Sequence, residues 1–222
     1  MRSVIVVKLG GAVAAEATET VALLAQDHAV CVVHGAGPQI SAEMRQRGLD
    51  VVFIGGRRVT TTSGLEVVRA SLANVNAEIC EALGPLAVPL FGEEIGLQAK
   101  PVPELGLVGE AIPSSPAAVV DALAAGMMPV VAPLAAGPLN VNADEAAAAL
   151  AIGLGAQRIV FLTDVPGLLL GGAVAATIQG HEAERVLDAG ELSGGIVPKL
   201  RAAIDATRGG VEAEIGATAV LA

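Results

Sequence analysis

Six short runs rich in Val and Ile recur along the chain, at residues 4–8, 29–34, 51–54, 86–91, 129–134 and 158–163, and stretches with helical apolar spacing separate most of them. Continuous apolar runs of this length suit strands buried on both faces, and an intervening helix is what a parallel connection requires. The alternation predicts an α/β chain: a three-layer αβα sandwich with an open, mainly parallel central sheet. Helices are expected near 14–26, 38–48, 62–84, 116–126, 143–155, 181–190 and 197–209, and weaker strands near 106–110, 174–178 and 214–221. No long polar linker or solenoid-period repeat interrupts the pattern, so 1–222 reads as one domain. The Pro- and Gly-rich connection from Ala135 to Pro138 divides it into two lobes, 1–135 and 136–222.

With 222 residues, 53% of them hydrophobic, the chain can bury a sizeable core without staples. Its two cysteines, Cys31 and Cys80, sit in apolar segments and read as reduced buried thiols, which suits the cytoplasm. The uncharged stretch 122–139 is divided by Gly126, Pro129, Pro133, Gly137 and Pro138, so it reads as a helix followed by a buried strand and not as a membrane span. A formal net charge of −10, with no Trp or Tyr for base stacking, argues against nucleic acid as a partner. An anionic ligand must therefore meet a locally positive site. Ten of the thirteen basic residues are Arg, yet Lys stands at two Gly-rich turns, where a compact ammonium suits a phosphate.

The first of those turns is Lys8-Leu9-Gly10-Gly11, a strand end running into a helix, where glycines let backbone N–H groups approach phosphate oxygens. A second anion nest follows the next strand at His34-Gly35-Ala36-Gly37-Pro38, and His34 there reads as structural rather than as a general base. Arg57 and Arg58 offer guanidinium forks for a carboxylate. Asn140-Val141-Asn142-Ala143-Asp144 opens a helix; Asn142 or Asp144 can cap it, and a cap uses only one of the three polar side chains. Thr163-Asp164-Val165-Pro166-Gly167 ends another strand, and Ser193-Gly194-Gly195-Ile196-Val197-Pro198-Lys199 introduces the last long helix. A parallel sheet can gather these segments at the carboxyl ends of its strands. The chain lacks both G-x-x-x-x-G-K-[ST] and G-x-G-x-x-G, so it is neither an ordinary P-loop enzyme nor a usual dinucleotide binder.

In this order the segments resemble the amino-acid kinase superfamily, and Arg58-Val59-Thr60 with Asn140-Val141-Asn142-Ala143-Asp144 favours its acetylglutamate kinase branch. The resemblance implies the amino-acid kinase fold and ATP-dependent phosphorylation of the side-chain carboxylate of N-acetyl-L-glutamate, a step of arginine biosynthesis. It makes Lys8, Asp144 and Lys199 catalytic, with Asp144 orienting the lysines around the transferring phosphoryl group. Arg58, Asn140, Gly35, Ala36 and Gly37 would bind the acylated amino acid in the N-terminal lobe. Gly10, Gly11, Thr163, Asp164 and Gly195 would bind the phosphates of ATP, with Mg2+ held mainly through those phosphates and no metal site of the protein's own. A homodimer is implied. With only Met1-Arg2-Ser3 before the first strand, insensitivity to arginine is expected.

Four features depart from the family pattern, one being Leu72-Ala73-Asn74-Val75-Asn76, an element one residue shorter than its usual counterpart. Ala36 stands where glycine is usual, Phe91-Gly92-Glu93-Glu94-Ile95-Gly96-Leu97 replaces a lysine-bearing loop with an acidic one, and 210–222 is a compressed ending. The acidic loop keeps acylated or carrier-linked aminoadipate open as the acceptor. A non-catalytic amino-acid or nucleotide sensor is the alternative of a different class.

Overall fold

The computed structural model describes residues 2–10, 15–163 and 165–222. The chain opens with β1 (Val4–Leu9), α1 (Ala15–Asp27), β2 (Ala29–His34) and α2 (Gly37–Gln46), then a small hairpin, β3 (Phe53–Ile54) and β4 (Arg57–Arg58), and the long α3 (Thr62–Leu83). Next come β5 (Ala87–Phe91), α4 (Gly92–Ile95), β6 (Ala99–Pro101), β7 (Val108–Ala111), α5 (Ala117–Ala124), β8 (Met128–Ala132), β9 (Leu134–Ala135), β10 (Leu139–Val141) and α6 (Ala143–Gly153). The last part holds β11 (Arg158–Phe161), β12 (Leu169–Leu170), β13 (Ala173–Val174), β14 (Thr177–Gln179), α7 (Gly180–Asp188), α8 (Ile196–Arg208), β15 (Glu212–Ile215) and β16 (Thr218–Leu221).

Eight strands form the main sheet in the order β14-β16-β15-β11-β1-β2-β8-β5. Every neighbouring pair is parallel except the β15–β16 hairpin. The expected fold class is therefore observed. Strand alternation sorts the side chains into two cores. Ile5, Val7 and Leu9 of β1 pack with Ile40 and Met44 of α2 and with Leu65, Val68 and Leu72 of α3. Val6 packs on the opposite face with Val119 of α5 and with Ala146, Leu150, Leu200 and Ala203 of α6 and α8. Period two puts Lys8 on the same face as Val6, beneath α6, and that parity decides what the lysine meets.

Most predicted elements appear within a few residues of their expected bounds, including the break of the uncharged stretch into α5 and β8. No described helix is long and apolar enough to cross a membrane. Both cysteines are free thiols; Cys31 is buried, which pushes its thiol up to about 12, whereas Cys80 is only half-buried.

Two expectations need correction. The run 51–54 is not a strand of the central sheet: only Phe53 and Ile54 are extended, they pair antiparallel with Arg57 and Arg58, and both apolar side chains are more than half exposed. The segment 174–178 is split between β13, in a separate hairpin, and β14, at the edge of the main sheet. A feature the sequence did not announce is a second sheet, β6-β7-β10-β9, in which the connection Ala135–Pro138 is the turn from β9 to β10.

The loop bearing Thr60 is stitched to this second sheet. Thr60 N–H donates to Leu105 O, and Leu107 N–H donates back to Thr60 O, at 2.9 and 2.8 Å. Gly106 makes this possible: its φ is +82°, and a Cβ there would lie 2.4 Å from Thr60 O. Gly106→Ala is expected to destabilise the chain by on the order of 3 kcal/mol, from the left-handed backbone and the overlap together. Urea unfolding of the variant beside the wild type measures it.

Candidate functional site

Lys8 is the penultimate residue of β1, and its ammonium lies beneath the first turn of α6, where Nζ stands 2.9 Å from Asp144 Oδ1. Lys199, in the first turns of α8, approaches the same oxygen at 3.5 Å. All three side chains are largely buried, at 7% exposure for Lys8 and Asp144 and 13% for Lys199. The shared carboxylate oxygen holds both lysines by charge, and Lys199 Nζ also donates to Gly195 O at 3.5 Å. Two cations against one anion leave the trio with a net positive charge in a site of low dielectric. Burial pulls the Lys8 ammonium below its usual pKa; Asp144 opposes that shift and Lys199 adds to it. An incoming anion would relieve the excess.

The local sequence explains why Asp144 is available. Asn142 is the N-cap of α6: its Oδ1 accepts from the N–H groups of Asp144 and Glu145 at 2.8 and 3.2 Å. The sequence left open which residue caps, and the amide takes that duty while the carboxylate turns to the lysines. The N-terminus of α8 follows Gly195 and carries no side-chain cap; Val197 N–H donates to Gly194 O at 3.4 Å and Pro198 has no N–H, so in the first turn the Ile196 N–H is the one left for an anion.

Arg58 is 6% exposed. Its Nη2 donates to Gly37 O at 3.1 Å and Ser41 Oγ at 2.8 Å, Nη1 meets Met44 Sδ at 3.4 Å, and the guanidinium lies 4.5 Å from the centre of the Phe53 ring. No carboxylate among the described residues pairs with it. A buried guanidinium without a counter-ion is costly unless a ligand supplies one. Asn140 Nδ2 donates to Thr60 Oγ1 at 3.0 Å, and Thr60 Oγ1 donates to Arg58 O at 2.8 Å, which ties the amide to the arginine's own backbone.

These groups share one cavity of about 450 Å³. Lys8, Asp144 and Lys199 line it together with Arg58 and Asn140. Gly35, Ala36 and Gly37 line it too, as do Gly10 and Gly195. Ala36 fits its place: φ −139° and ψ 32° need no glycine, and its methyl is buried against the α2 and α3 core. Thr163 lies instead in an adjoining cavity of about 600 Å³ with Val165, Leu169 and Leu192, and Gly195 and Lys199 line both cavities. Two chambers thus meet at one lysine. Gly11 and Asp164, also expected at the phosphates, lie outside the described residues. Among the described residues no three His, Cys, Asp or Glu side chains cluster as a metal site.

Glu93 pairs with Arg69 through two hydrogen bonds of 2.8 and 2.6 Å, joining α4 to α3, and it does not line the cavity that holds Arg58 and the lysines. The acidic loop that kept aminoadipate open is therefore a structural tie. Arg57, the other guanidinium fork the sequence offered, lines the cavity but turns its Nε to Glu145 at 2.9 and 3.2 Å, and Glu145 as its partner is what sequence reasoning missed.

His34 is fully buried, and its Nε2 accepts from Asn76 Nδ2 at 2.9 Å. Asn76 Nδ2 also reaches Val130 O, so the histidine links β2 to α3 and β8. Burial, reinforced by the charge on Lys8, holds its pKa down at about 4. Since the folded value lies below the unfolded one of about 6.5, this group's stabilisation is complete above that pH and is lost as pH falls toward 4, on the order of 3 kcal/mol in all. Urea unfolding between pH 7.5 and 4 should show this slope in the wild type and a shallower one in His34→Gln.

A sequence model of the amino acid kinase family matches residues 3–216. An acetylglutamate kinase of Rubrobacter xylanophilus is 43% identical over 97% of this chain and 88% of its own length. An acetylglutamate kinase of Nocardia farcinica is 39% identical over 81% of this chain, which spans 66% of that relative. A solved structure from Streptococcus mutans superposes with a TM-score of 0.88 at 25% identity, covering 100% of this chain and 99% of the other.

Proposed function

Because this chain belongs to the amino acid kinase family, on its acetylglutamate kinase branch, we propose that it transfers the γ-phosphoryl group of ATP to the side-chain carboxylate of N-acetyl-L-glutamate, in arginine biosynthesis. The observation that carries this reading is a buried arginine without a counter-ion in the same cavity as two lysines sharing one aspartate. Arg58 and Asn140 take the α-carboxylate of the acceptor. The chamber around Thr163 takes the nucleotide, and the phosphoryl group crosses where the two chambers meet, between Lys8 and Lys199. On this reading residues 1–135 form the acceptor lobe and 136–222 the nucleotide lobe, with Asn140 and Asp144 reaching across.

The chemistry asks for no general base. A glutamate-like side chain ionises near pH 4.3, so the nucleophile is already a carboxylate at neutral pH. One of its oxygens attacks the γ-phosphorus, the bond from that phosphorus to the β–γ bridging oxygen breaks, and ADP leaves with that oxygen; no net proton transfer is needed. The obstacle is repulsion between two anions. Lys8, Lys199 and the positive end of α8 offset it by standing where negative charge gathers, and Asp144 keeps the lysines in place so that little reorganisation is required. Mg2+ would supply further charge neutralisation; since Asp144 already serves two lysines, the nucleotide phosphates would hold most of the ion.

Hydroxylamine trapping of the acyl phosphate, run across acetylglutamate, glutamate, aspartate and acetylaminoadipate, tests the acceptor. The strongest signal is expected from acetylglutamate and little from glutamate. Lys8→Ala and Lys199→Ala should each lower kcat by on the order of 10²-fold, roughly 3 kcal/mol of transition-state stabilisation. Arg58→Ala should act mainly through KM for the acceptor. The same reading makes the active form a homodimer, which light scattering coupled to size exclusion checks.

A further inference from the structure

The hairpin carrying Arg58 has little of its own to hold it in place. It has two residue pairs, Phe53 with Arg58 and Ile54 with Arg57, around a Gly55-Gly56 turn at φ +58° and +82°. Two-stranded ribbons of this size are marginal alone, and the outer side chains Phe53 and Ile54 are exposed. Its base is held by Arg58, which bonds to α2, and by Thr60, which joins the second sheet; its tip is held by what the turn grips. Gly56 O accepts from Asn142 Nδ2 at 3.0 Å, and the turn faces Pro198, one residue before Lys199, closely enough that a Cβ at Gly56 would lie 3.4 Å from the proline Cβ. Arg57 Nε reaches both oxygens of Glu145, and each of these two side chains is 22% exposed.

Glu145 is the residue after Asp144 and occupies the third position of α6. With Asn142 as the cap, the spacing is that of a capping box, in which such a carboxylate returns to the backbone N–H of the cap residue. Here the carboxylate points outward to the hairpin instead. Each of the paired residues thus adjoins a member of the proposed machinery: Arg57 precedes Arg58, and Glu145 follows Asp144.

We propose that the Arg57–Glu145 pair is a clasp that fixes the acceptor arm in register with the phosphoryl-transfer centre, making both of them positioning residues for acceptor binding and transfer. A partly exposed ion pair, with each side chain at 22%, adds only modestly to global stability. Misplacement of a reactant by an ångström, in contrast, costs up to about 10²-fold in rate. The consequence belongs to catalysis more than to folding. Glu110 lies 3.6 Å from Arg57 Nη2, and Asp205 also faces Glu145, so removing the arginine leaves three acids together and loosens the turn further.

The inference rests on the kinase reading for its catalytic consequence but not for its structural one, and two measurements separate them. Hydrogen exchange of the ligand-free chain reads the clasp directly: in Arg57→Met and Glu145→Gln, amides of residues 52–59 should exchange about tenfold faster or more, while those of β1, β2 and β8 stay unchanged. The exchanged pair R57E/E145R should recover part of the protection, limited by Glu110 beside the new glutamate. In the trapping assay, each single variant should raise KM for acetylglutamate by about tenfold with KM for ATP moved less than twofold. Unchanged exchange in the hairpin, or no recovery in R57E/E145R, overturns the clasp. Faster exchange with unchanged acceptor kinetics overturns its positioning role, and a wild type inactive on acetylglutamate refutes the acceptor assignment while leaving the exchange result to decide the clasp.

Discussion

One buried carboxylate, Asp144, holds two lysines that enter from distant parts of the chain. Lys8 comes from a central strand of the sheet and Lys199 from the start of α8, and both arrive at Oδ1. Neither lysine could remain buried and charged alone, because desolvating an isolated ammonium costs far more than a chain of marginal stability tolerates. The arrangement depends on strand parity, which turns Lys8 toward α6, and on the packing of α6 against α8, which places their first turns side by side. Its remaining positive charge determines what the cavity can accept.

The division of labour at the start of α6 is the second condition. A helix N-terminus needs an acceptor for its unpaired N–H groups, and an aspartate there would ordinarily supply it. Asn142 supplies it instead, so Asp144 faces the lysines and Glu145 faces the hairpin. Three successive polar duties, capping, charge balance and tethering, thus come from one short segment. The hairpin bearing Arg58, the lysine pair and the N-terminus of α8 are assembled around that segment, and the hairpin turn is tied to the helix cap through Asn142, whose amide bonds both the helix and the Gly56 carbonyl.

Much of this was legible in the sequence because the relevant signals are local. The Val-rich runs of β1, β2, β8 and β11 mark strands buried on both faces, and Lys8, Gly35 and Gly195 stand at element ends where a parallel sheet collects them. Val52, Phe53 and Ile54 misled for a physical reason: an apolar run at a cavity mouth has the same composition as one in a sheet, and only its partners tell them apart. The strands of the second sheet are too short for periodicity to reveal. The pairing of Arg57 with Glu145 carried no signal because it joins residues far apart in sequence, and the choice between Asn142 and Asp144 as cap was settled only by geometry. The tie from Glu93 to Arg69 was hidden in the same way.

The most direct test of the account is steady-state and single-turnover kinetics of Asp144→Asn, which keeps the size of the side chain and removes the charge that holds the lysines. If the carboxylate orients Lys8 and Lys199 for phosphoryl transfer, kcat should fall by on the order of 10²-fold or more while KM for acceptor and for ATP changes by only about threefold. A folded Asp144→Asn variant with near-normal kcat would contradict it, because the two lysines would then be doing their work without the charge around which the site is built.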